Sequence, residues 1–178
     1  MDNFEEQRIA AQQEMQGYVE RRVASPRRHP MTEPYFNTIL NGGPDIWHGA
    51  VLGWNSDDGY VPLRWIMRQP ACDVATSRYL FHYLDVPGFA PEFDKPDLDP
   101  QRHEYVLIAR ELWQRISAGL YTRSEIAFEP RPGMVPLTIE RVKRMSPAML
   151  QPIAGREVHS FDMDMGPDGK FWPGHKPW

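Results

Sequence analysis

DPQRHEYVLIARELWQRISAGL, residues 99–120, is the strongest helical pattern in the chain. Asp99 and Pro100 are typical of a helix N-cap followed by a first-turn proline. Apolar side chains then recur every three or four residues: Tyr105, Ala109, Leu112, Trp113, Ile116 and Leu120. A continuous apolar face of this length predicts a central amphipathic helix over 99–120, against which shorter elements can pack.

The segments before this helix also favour helices. Residues 1–24 lack proline and are rich in Gln, Glu, Ala and Arg, which predicts a peripheral N-terminal helix. Residues 45–85 divide at prolines and glycines into three short helices, the last opened by an N-cap at Asp73. That helix is expected to run from Val74 to Leu84, before Pro87 and Gly88 end it.

The C-terminal segment has a different periodicity. Phe161, Met163 and Met165 alternate with two aspartates, a period of two that favours a strand. A Pro-Asp-Gly turn follows, and residues 170–172 could return as the paired strand. We therefore expect a mainly α, compact multi-helix domain spanning 1–178, with a small C-terminal β-ribbon and tail at 155–178.

Composition excludes several classes of protein. Of 178 residues, 41% are apolar and 25% charged, and no apolar run approaches the roughly 18 residues of a membrane span. The formal charge of −4 lacks the basic excess of a general nucleic-acid binder. Cys72 is the one cysteine, so no internal disulfide forms. The first residues lack a signal-peptide pattern, and we expect a cytoplasmic protein without a membrane or nucleic-acid partner.

A cluster of turn and cap residues lies between Trp54 and Thr76. It comprises Asn55, Asp57, Asp58 and Gly59, followed by Trp65 and Ile66, and then by Cys72, Asp73 and Thr76. This pattern resembles the bacterial domain-of-unknown-function family 4274 over about residues 45–85, with departures at Ser56, Ala71 and Ala75. The resemblance implies no catalytic mechanism. It implies a cytoplasmic accessory protein, sometimes found near secreted-toxin systems, with an immunity role.

The same residues have an architectural interpretation. Asn55 and Asp57 can form Asx turns, and Gly59 permits a positive φ at the corner between two helices. Asp73 can cap the next helix with support from Thr76, and Cys72 fits a small buried apolar position. We therefore expect these residues to shape the backbone.

A functional interpretation of the aspartates remains open. Asp57, Asp58 and Asp73, together with His48 or His82, could bind a divalent cation or act as acid and base. None of the six histidines has the spacing of a zinc motif, and no nucleotide-binding or serine-hydrolase motif occurs. We expect no cofactor, no metal site and no catalytic residue.

Charge is concentrated between residues 85 and 99. Five acidic residues and one lysine give this segment a net charge of −4 (1 − 5), equal to that of the whole chain. The segment could be a solvated connector, or an acidic surface with aromatic anchors for a basic protein. The candidate partner-binding residues are Asp85, Phe89, Glu92, Phe93, Asp94 and Asp97.

The sequence favours a non-enzymatic protein-binding module. In the leading hypothesis it is an immunity protein that neutralises a cognate bacterial toxin, a secreted one, by occlusion. The alternative is a metal-dependent hydrolase or toxin-like effector that uses an Asp/His cluster.

Overall fold

Helices account for most of the residues that the computed structural model describes, which are 2–26, 28–95, 100–130, 146–168 and 170. The prediction of a mainly α fold is confirmed. Within those residues, none of the helices combines the length and apolarity needed to cross a bilayer. The α-helices are α1 (Asp2–Ala24), α2 (Thr32–Asn41), α3 (Pro44–Leu52), α4 (Val61–Met67), α5 (Val74–Tyr83), α6 (Val86–Phe89) and α7 (Pro100–Ser117). Short 3-10 helices cover Ser56–Asp58, Ala90–Glu92 and Pro147–Leu150.

The chain forms two compact units, the first comprising residues 1–72 and 158–178 and the second residues 73–157. In the first unit, α1 packs along α4 and α2, and α2 packs on α3. The predicted N-terminal helix is confirmed, and it buries Ala11 and Met15. The expectation that the whole chain is a single domain stays a prediction.

Polar contacts reinforce the packing of α1 on α4. A guanidinium nitrogen of Arg64 lies 3.1 Å from a carboxylate oxygen of Glu14, and the indole of Trp65 donates to the Gln12 side chain at 2.7 Å. The partners are 50 and 53 positions apart in the chain, so neither contact could be predicted from local sequence.

Two glycines of the first unit allow a very close backbone approach. The backbone N–H of Phe161 donates to the carbonyl of Gly49 at 3.1 Å, and a Cβ built at Gly49 would lie 2.6 Å from the carbonyl oxygen of His159. A Cβ at Gly53 would overlap the backbone of Phe161. The glycines that weaken the helical pattern of α3 therefore leave room for the C-terminal segment, whose Phe161 is buried.

The second unit is built around α7, which packs on α5 and α6. Two extended segments, 125–128 and 153–156, pair beside these helices, with reciprocal hydrogen bonds of 3.0 and 2.8 Å between Phe128 and Ile153. This pairing consists of isolated bridges and was not predicted.

The predicted amphipathic helix at 99–120 is confirmed as α7, with two differences. Its buried face is centred on Val106, Ile108, Ala109 and Leu112, so Tyr105 lies at the edge and is only partly buried. The helix ends at Ser117, before Gly119, whose φ of 67° is left-handed. The predicted N-cap, Asp99, lies outside the described residues.

The helix predicted from Val74 to Leu84 is confirmed as α5, but Pro87 and Gly88 are not what ends it. That helix, α5, already ends at Tyr83, and both residues lie inside α6. The reason is Asp85, whose φ of 44° turns the chain and whose carboxylate accepts a hydrogen bond from the Gly88 amide at 3.2 Å. A side chain at Gly88 would overlap this carboxylate.

The predicted C-terminal β-ribbon is not supported. The described residues contain no strand, and the stretch from Phe161 to Met165 forms a tight turn instead. The Asp162 carboxylate accepts hydrogen bonds from the amides of Asp164 and Met165 at 2.8 and 2.9 Å, so an Asx turn replaces the extended backbone. Of the expected return strand at 170–172, residues 171 and 172 lie outside the described residues.

The close approach at α3 leads to a stability prediction. Replacing Gly53 with Ala should lower the free energy of unfolding by about 2 kcal/mol, because the added methyl group must displace the backbone of Phe161. Gly17 is the matched control, since a Cβ there meets Arg21 at an ordinary 3.4 Å. In the interior of α1, Gly17→Ala should raise stability by about 0.5–1 kcal/mol. Urea denaturation measures both changes, and equal effects would contradict the account.

Candidate functional site

The cluster of turn and cap residues begins with a tight corner between α3 and α4. The Asn55 side chain accepts a hydrogen bond from the Asp57 amide at 3.1 Å, which confirms the predicted Asx turn at Asn55. Gly59 has a φ of 73°, as predicted, and its carbonyl accepts a hydrogen bond from the Trp54 indole at 3.0 Å. The corner is therefore held by its own residues.

Asp57 and Asp58 have different surroundings. The Asp57 side chain is exposed, and no Asx turn is formed by it; the Gly59 amide donates instead to the Ser56 carbonyl. Asp58 forms an ion pair with Arg22 of α1, and its carbonyl accepts a hydrogen bond from the Tyr18 hydroxyl at 2.5 Å. Burial raises the pKa of Tyr18 to about 12, so this hydroxyl stays protonated and donates. Asp58 thus attaches α1 to the corner.

Asp73 is fully buried and both of its carboxylate oxygens accept backbone hydrogen bonds. One oxygen accepts from the Ala75 amide at 2.8 Å, which confirms the predicted cap of α5. The other accepts from the Glu125 amide, also at 2.8 Å, and the neighbouring Val74 amide donates to the Arg123 carbonyl at 2.8 Å. One carboxylate therefore begins α5 and ties the extended segment 121–128 to it.

The remaining residues of the cluster are buried. Cys72 has 1% of its surface exposed, as expected of a small apolar position. Thr76 is equally buried in the first turn of α5, and its support of the cap stays a prediction. A thiol inaccessible to solvent is poorly placed to act as a nucleophile.

The two candidate histidines lie in different units, and both are buried. The Nε2 atom of His82 lies 3.1 Å from the Met149 carbonyl oxygen, and its ring stacks on Phe128 with centroids 5.9 Å apart. Burial lowers the pKa of His82, which favours the neutral ring that donates to Met149. His82 therefore holds the 3-10 helix Pro147–Leu150 against α5 within the second unit.

Asp58, Asp73 and His82 therefore each make contacts that hold the structure together. Over the part of the chain that the structure describes, no group of three or more His, Cys, Asp or Glu side chains is placed to hold a metal ion. Asp73 presents its lone pairs to backbone amides, and Asp58 presents one oxygen to a guanidinium.

The acidic segment is partly built into the second unit. Asp85 caps α6. Phe93 is buried, with 8% of its surface exposed, and its carbonyl accepts a hydrogen bond from Arg110 at 2.9 Å. Phe89 contacts Tyr105, with ring centroids 5.2 Å apart. Glu92 is partly exposed and Asp94 is exposed. Asp97 lies outside the described residues.

Sequence reasoning missed a group of tyrosines beside this segment. Tyr79 and Tyr83 on α5 stack with centroids 6.2 Å apart, and the Tyr105 hydroxyl donates to the Tyr83 carbonyl at 3.4 Å. All three are partly exposed. The spacing of four residues between Tyr79 and Tyr83 was the available signal, because side chains so spaced are neighbours on a helix.

The buried carboxylate predicts a large difference between two aspartates of the cluster. Asp73→Asn leaves a single acceptor oxygen for two backbone donors, and should lower the free energy of unfolding by about 2–3 kcal/mol. Asp57→Asn removes an exposed charge and should change it by less than about 0.5 kcal/mol. Chemical denaturation compares them, and similar losses would show that Asp73 is not the structural carboxylate described.

The lowered pKa of His82 predicts a pH-dependent stability. The unfolded histidine binds a proton more readily than the folded one does. The contribution of His82 to the free energy of unfolding should therefore be fully present above about pH 6.5, and fall as the pH drops toward the folded pKa. The slope has a ceiling of about 1.4 kcal/mol per pH unit. His82→Gln should flatten the profile, whereas His103→Gln, at an exposed position, should leave it unchanged. Denaturation between pH 5 and 8 checks this, and parallel profiles for wild type and His82→Gln would contradict it.

Comparison with known proteins gives one family match that covers this cluster. No curated protein and no solved structure gives a significant match to the chain. A family model described as Domain of unknown function (DUF4274) matches residues 43–116, from the N-cap of α3 to the last turn of α7. The match includes the corner, Asp73 and the acidic segment, and it confirms the resemblance predicted from sequence: residues 43–116 of this chain match the model of the DUF4274 family.

Proposed function

We propose that this protein is a non-enzymatic protein-binding module. The observation that carries the proposal is the engagement of the Asp73 carboxylate, whose two oxygens each accept a backbone N–H while the residue is fully buried. A general base or metal ligand must direct a lone pair at a substrate or an ion. Asp73 directs its lone pairs at the protein itself.

Asp58 supports the same conclusion. Its ion pair with Arg22 holds α1 at the corner, so recruiting Asp58 to a metal ion would break a contact on which the first unit depends. Withdrawing a carboxylate from such charged hydrogen bonds costs about 1.5–3 kcal/mol for each bond. In the alternative function, a metal-dependent hydrolase or toxin-like effector, metal binding would have to offset that loss of free energy.

Recognition is then left to the surface of the second unit. Glu92 and Asp94 place negative charge beside α6, and complementary charge speeds the encounter with a basic partner. We propose that the partner is a cognate protein, a secreted bacterial toxin in the case that the family resemblance implies. In this proposal the protein acts in the bacterial cytoplasm as an immunity protein, and it blocks the toxin by occlusion.

A metal titration separates the binding module from the alternative. Mg²⁺, Mn²⁺, Ca²⁺ and Zn²⁺, each added in excess to protein freed of metal with a chelator, should leave the melting temperature unchanged. Binding to the folded state at one hundred times Kd would instead add about 2.7 kcal/mol of stability. A rise in Tm that Asp73→Asn or Asp58→Asn abolishes would favour the hydrolase.

A binding measurement tests recognition directly. Each protein encoded beside this chain's gene is purified separately, and its association is followed by surface plasmon resonance. For the protein that binds, Asp94→Lys should slow association at low salt by about threefold or more and reduce the salt dependence of the rate. Glu20→Lys, an exposed site on α1 with the same change in charge, is the matched control. Equal rates for both variants would remove the acidic segment from the proposal.

A further inference from the structure

The end of α2 carries a chemically labile pair of residues. Asn41 is the last residue of the helix, and Gly42 is its C-cap. Of the asparagines in the chain, Asn41 is the one that a glycine follows; the others are Asn3, Asn37 and Asn55. Asparagine is thermolabile, because the backbone nitrogen of the next residue can attack its side-chain amide. A glycine at the next position has no side chain to hinder that attack.

The packing of α2 on α3 requires this glycine. A Cβ built at Gly42 would lie 2.6 Å from the Cβ atom of Ile46 on α3, and 2.7 Å from the carbonyl oxygen of Thr38. Any other residue would therefore force the two helices apart at their junction. The missing side chain at position 42 thus lets the helices meet, and it leaves Asn41 open to attack.

The Asn41 side chain is accessible to water. It is exposed, and its Nδ2 atom donates to the Asn37 carbonyl at 2.9 Å, one helical turn earlier. Water can replace an exposed hydrogen bond of this kind at little net cost in free energy. The amide group that would leave is therefore not held in place by burial.

The backbone nitrogen that would attack is also weakly held. In a continuous helix the Gly42 amide would donate to the Thr38 carbonyl, four residues earlier. Here it donates to the Ile39 carbonyl at 3.3 Å, which is long for an N–H···O bond. Beyond it the backbone is extended, with a ψ of −176° at Gly42. Because helix ends fray, Asn41 can leave the helical conformation by breaking the bond between Gly42 and Ile39.

We propose that Asn41 is a site of spontaneous deamidation, which weakens the junction of α2 and α3 as the protein ages. The Gly42 nitrogen loses its proton to hydroxide and bonds to the Cγ atom of Asn41. The bond between Cγ and Nδ2 then breaks, and Nδ2 takes up a proton from water and leaves as ammonia. Water opens the resulting succinimide ring at either carbonyl carbon, which gives aspartate or isoaspartate. This inference does not depend on the proposed function.

Both products destabilise the end of α2. A carboxylate at residue 41 lies at the negative end of the helix dipole, and it can no longer donate to the Asn37 carbonyl. Isoaspartate also adds a carbon atom to the backbone between residues 41 and 42, where a Cβ at Gly42 already has no room beside Ile46. We therefore expect isoaspartate to lower the melting temperature more than aspartate does.

Timed incubation of the full chain measures the reaction. The protein is held at mildly alkaline pH and physiological temperature, and fragmentation mass spectrometry assigns the conversion to a residue. Labelling with L-isoaspartyl methyltransferase detects isoaspartate. We expect conversion at Asn41 to be several times faster than at Asn55, and to accelerate as hydroxide increases. Asn55 is the internal control, since it is equally exposed but precedes Ser56, and its side chain accepts the Asp57 amide.

The same chain in concentrated urea provides the reference rate, because unfolding removes the constraints of α2. If Asn41 is converted in urea but stays intact in the folded protein over the same time, the helix end protects it and the proposal is overturned. Equal rates at Asn41 and Asn55 in the folded protein would also overturn it, because the glycine would then not be the cause of the lability.

Two variants test the consequence for stability. Asn41→Gln keeps an exposed amide but would have to close a larger ring, so it should form no isoaspartate at residue 41 and keep its melting temperature during incubation. Freshly purified Asn41→Asp has the charge of the aged protein on an unaltered backbone, and it should melt above aged wild type and below fresh wild type. An equal loss of melting temperature in aged wild type and aged Asn41→Gln would assign the ageing to another residue and overturn the proposal.

Discussion

The carboxylate of Asp73 is the interaction on which the second unit depends. An aspartate at a helix N-cap ordinarily satisfies one amide of the first turn. Here the second oxygen accepts from Glu125, so the start of α5 and the extended segment that follows α7 share one buried anion. Removing that anion would leave two backbone donors without an acceptor in a region closed to water, and such orphaned groups are costly. The same engagement directs both carboxylate oxygens of Asp73 at backbone amides.

Local signals in the sequence were reliable because their causes are local. The Asx turn at Asn55, the positive φ of Gly59 and the cap at Asp73 each involve bonds within two residues or one backbone conformation. The long-range partners could not be inferred in this way. Arg22 meets Asp58 across 36 positions of sequence, and Glu125 meets Asp73 across 52, and no periodicity encodes which distant backbone or charge a side chain will reach.

The errors of prediction have the same origin. Alternating Phe161, Met163 and Met165 favours a strand when only periodicity is considered, but the Asp162 side chain bonds the backbone locally and closes a turn. In α7, the apolar pattern included Tyr105 in the core face, whereas packing on α5 and α6 rotates the buried face toward Val106 and Ile108. Tertiary contacts decide between patterns that the sequence leaves equally acceptable. The partly exposed Tyr105 is a product of that rotation.

The contacts of α1 bear on where a domain boundary can be drawn. The helix lies outside residues 43–116, yet Glu14 and Gln12 bond α4 and Arg22 neutralises Asp58. A fragment trimmed to the family segment would leave the side of α4 that α1 covers open to water. It would also leave Asp58 without its counter-charge. The autonomous folding unit is therefore larger than the stretch that family resemblance delimits, and a recombinant fragment should retain the N-terminal helix.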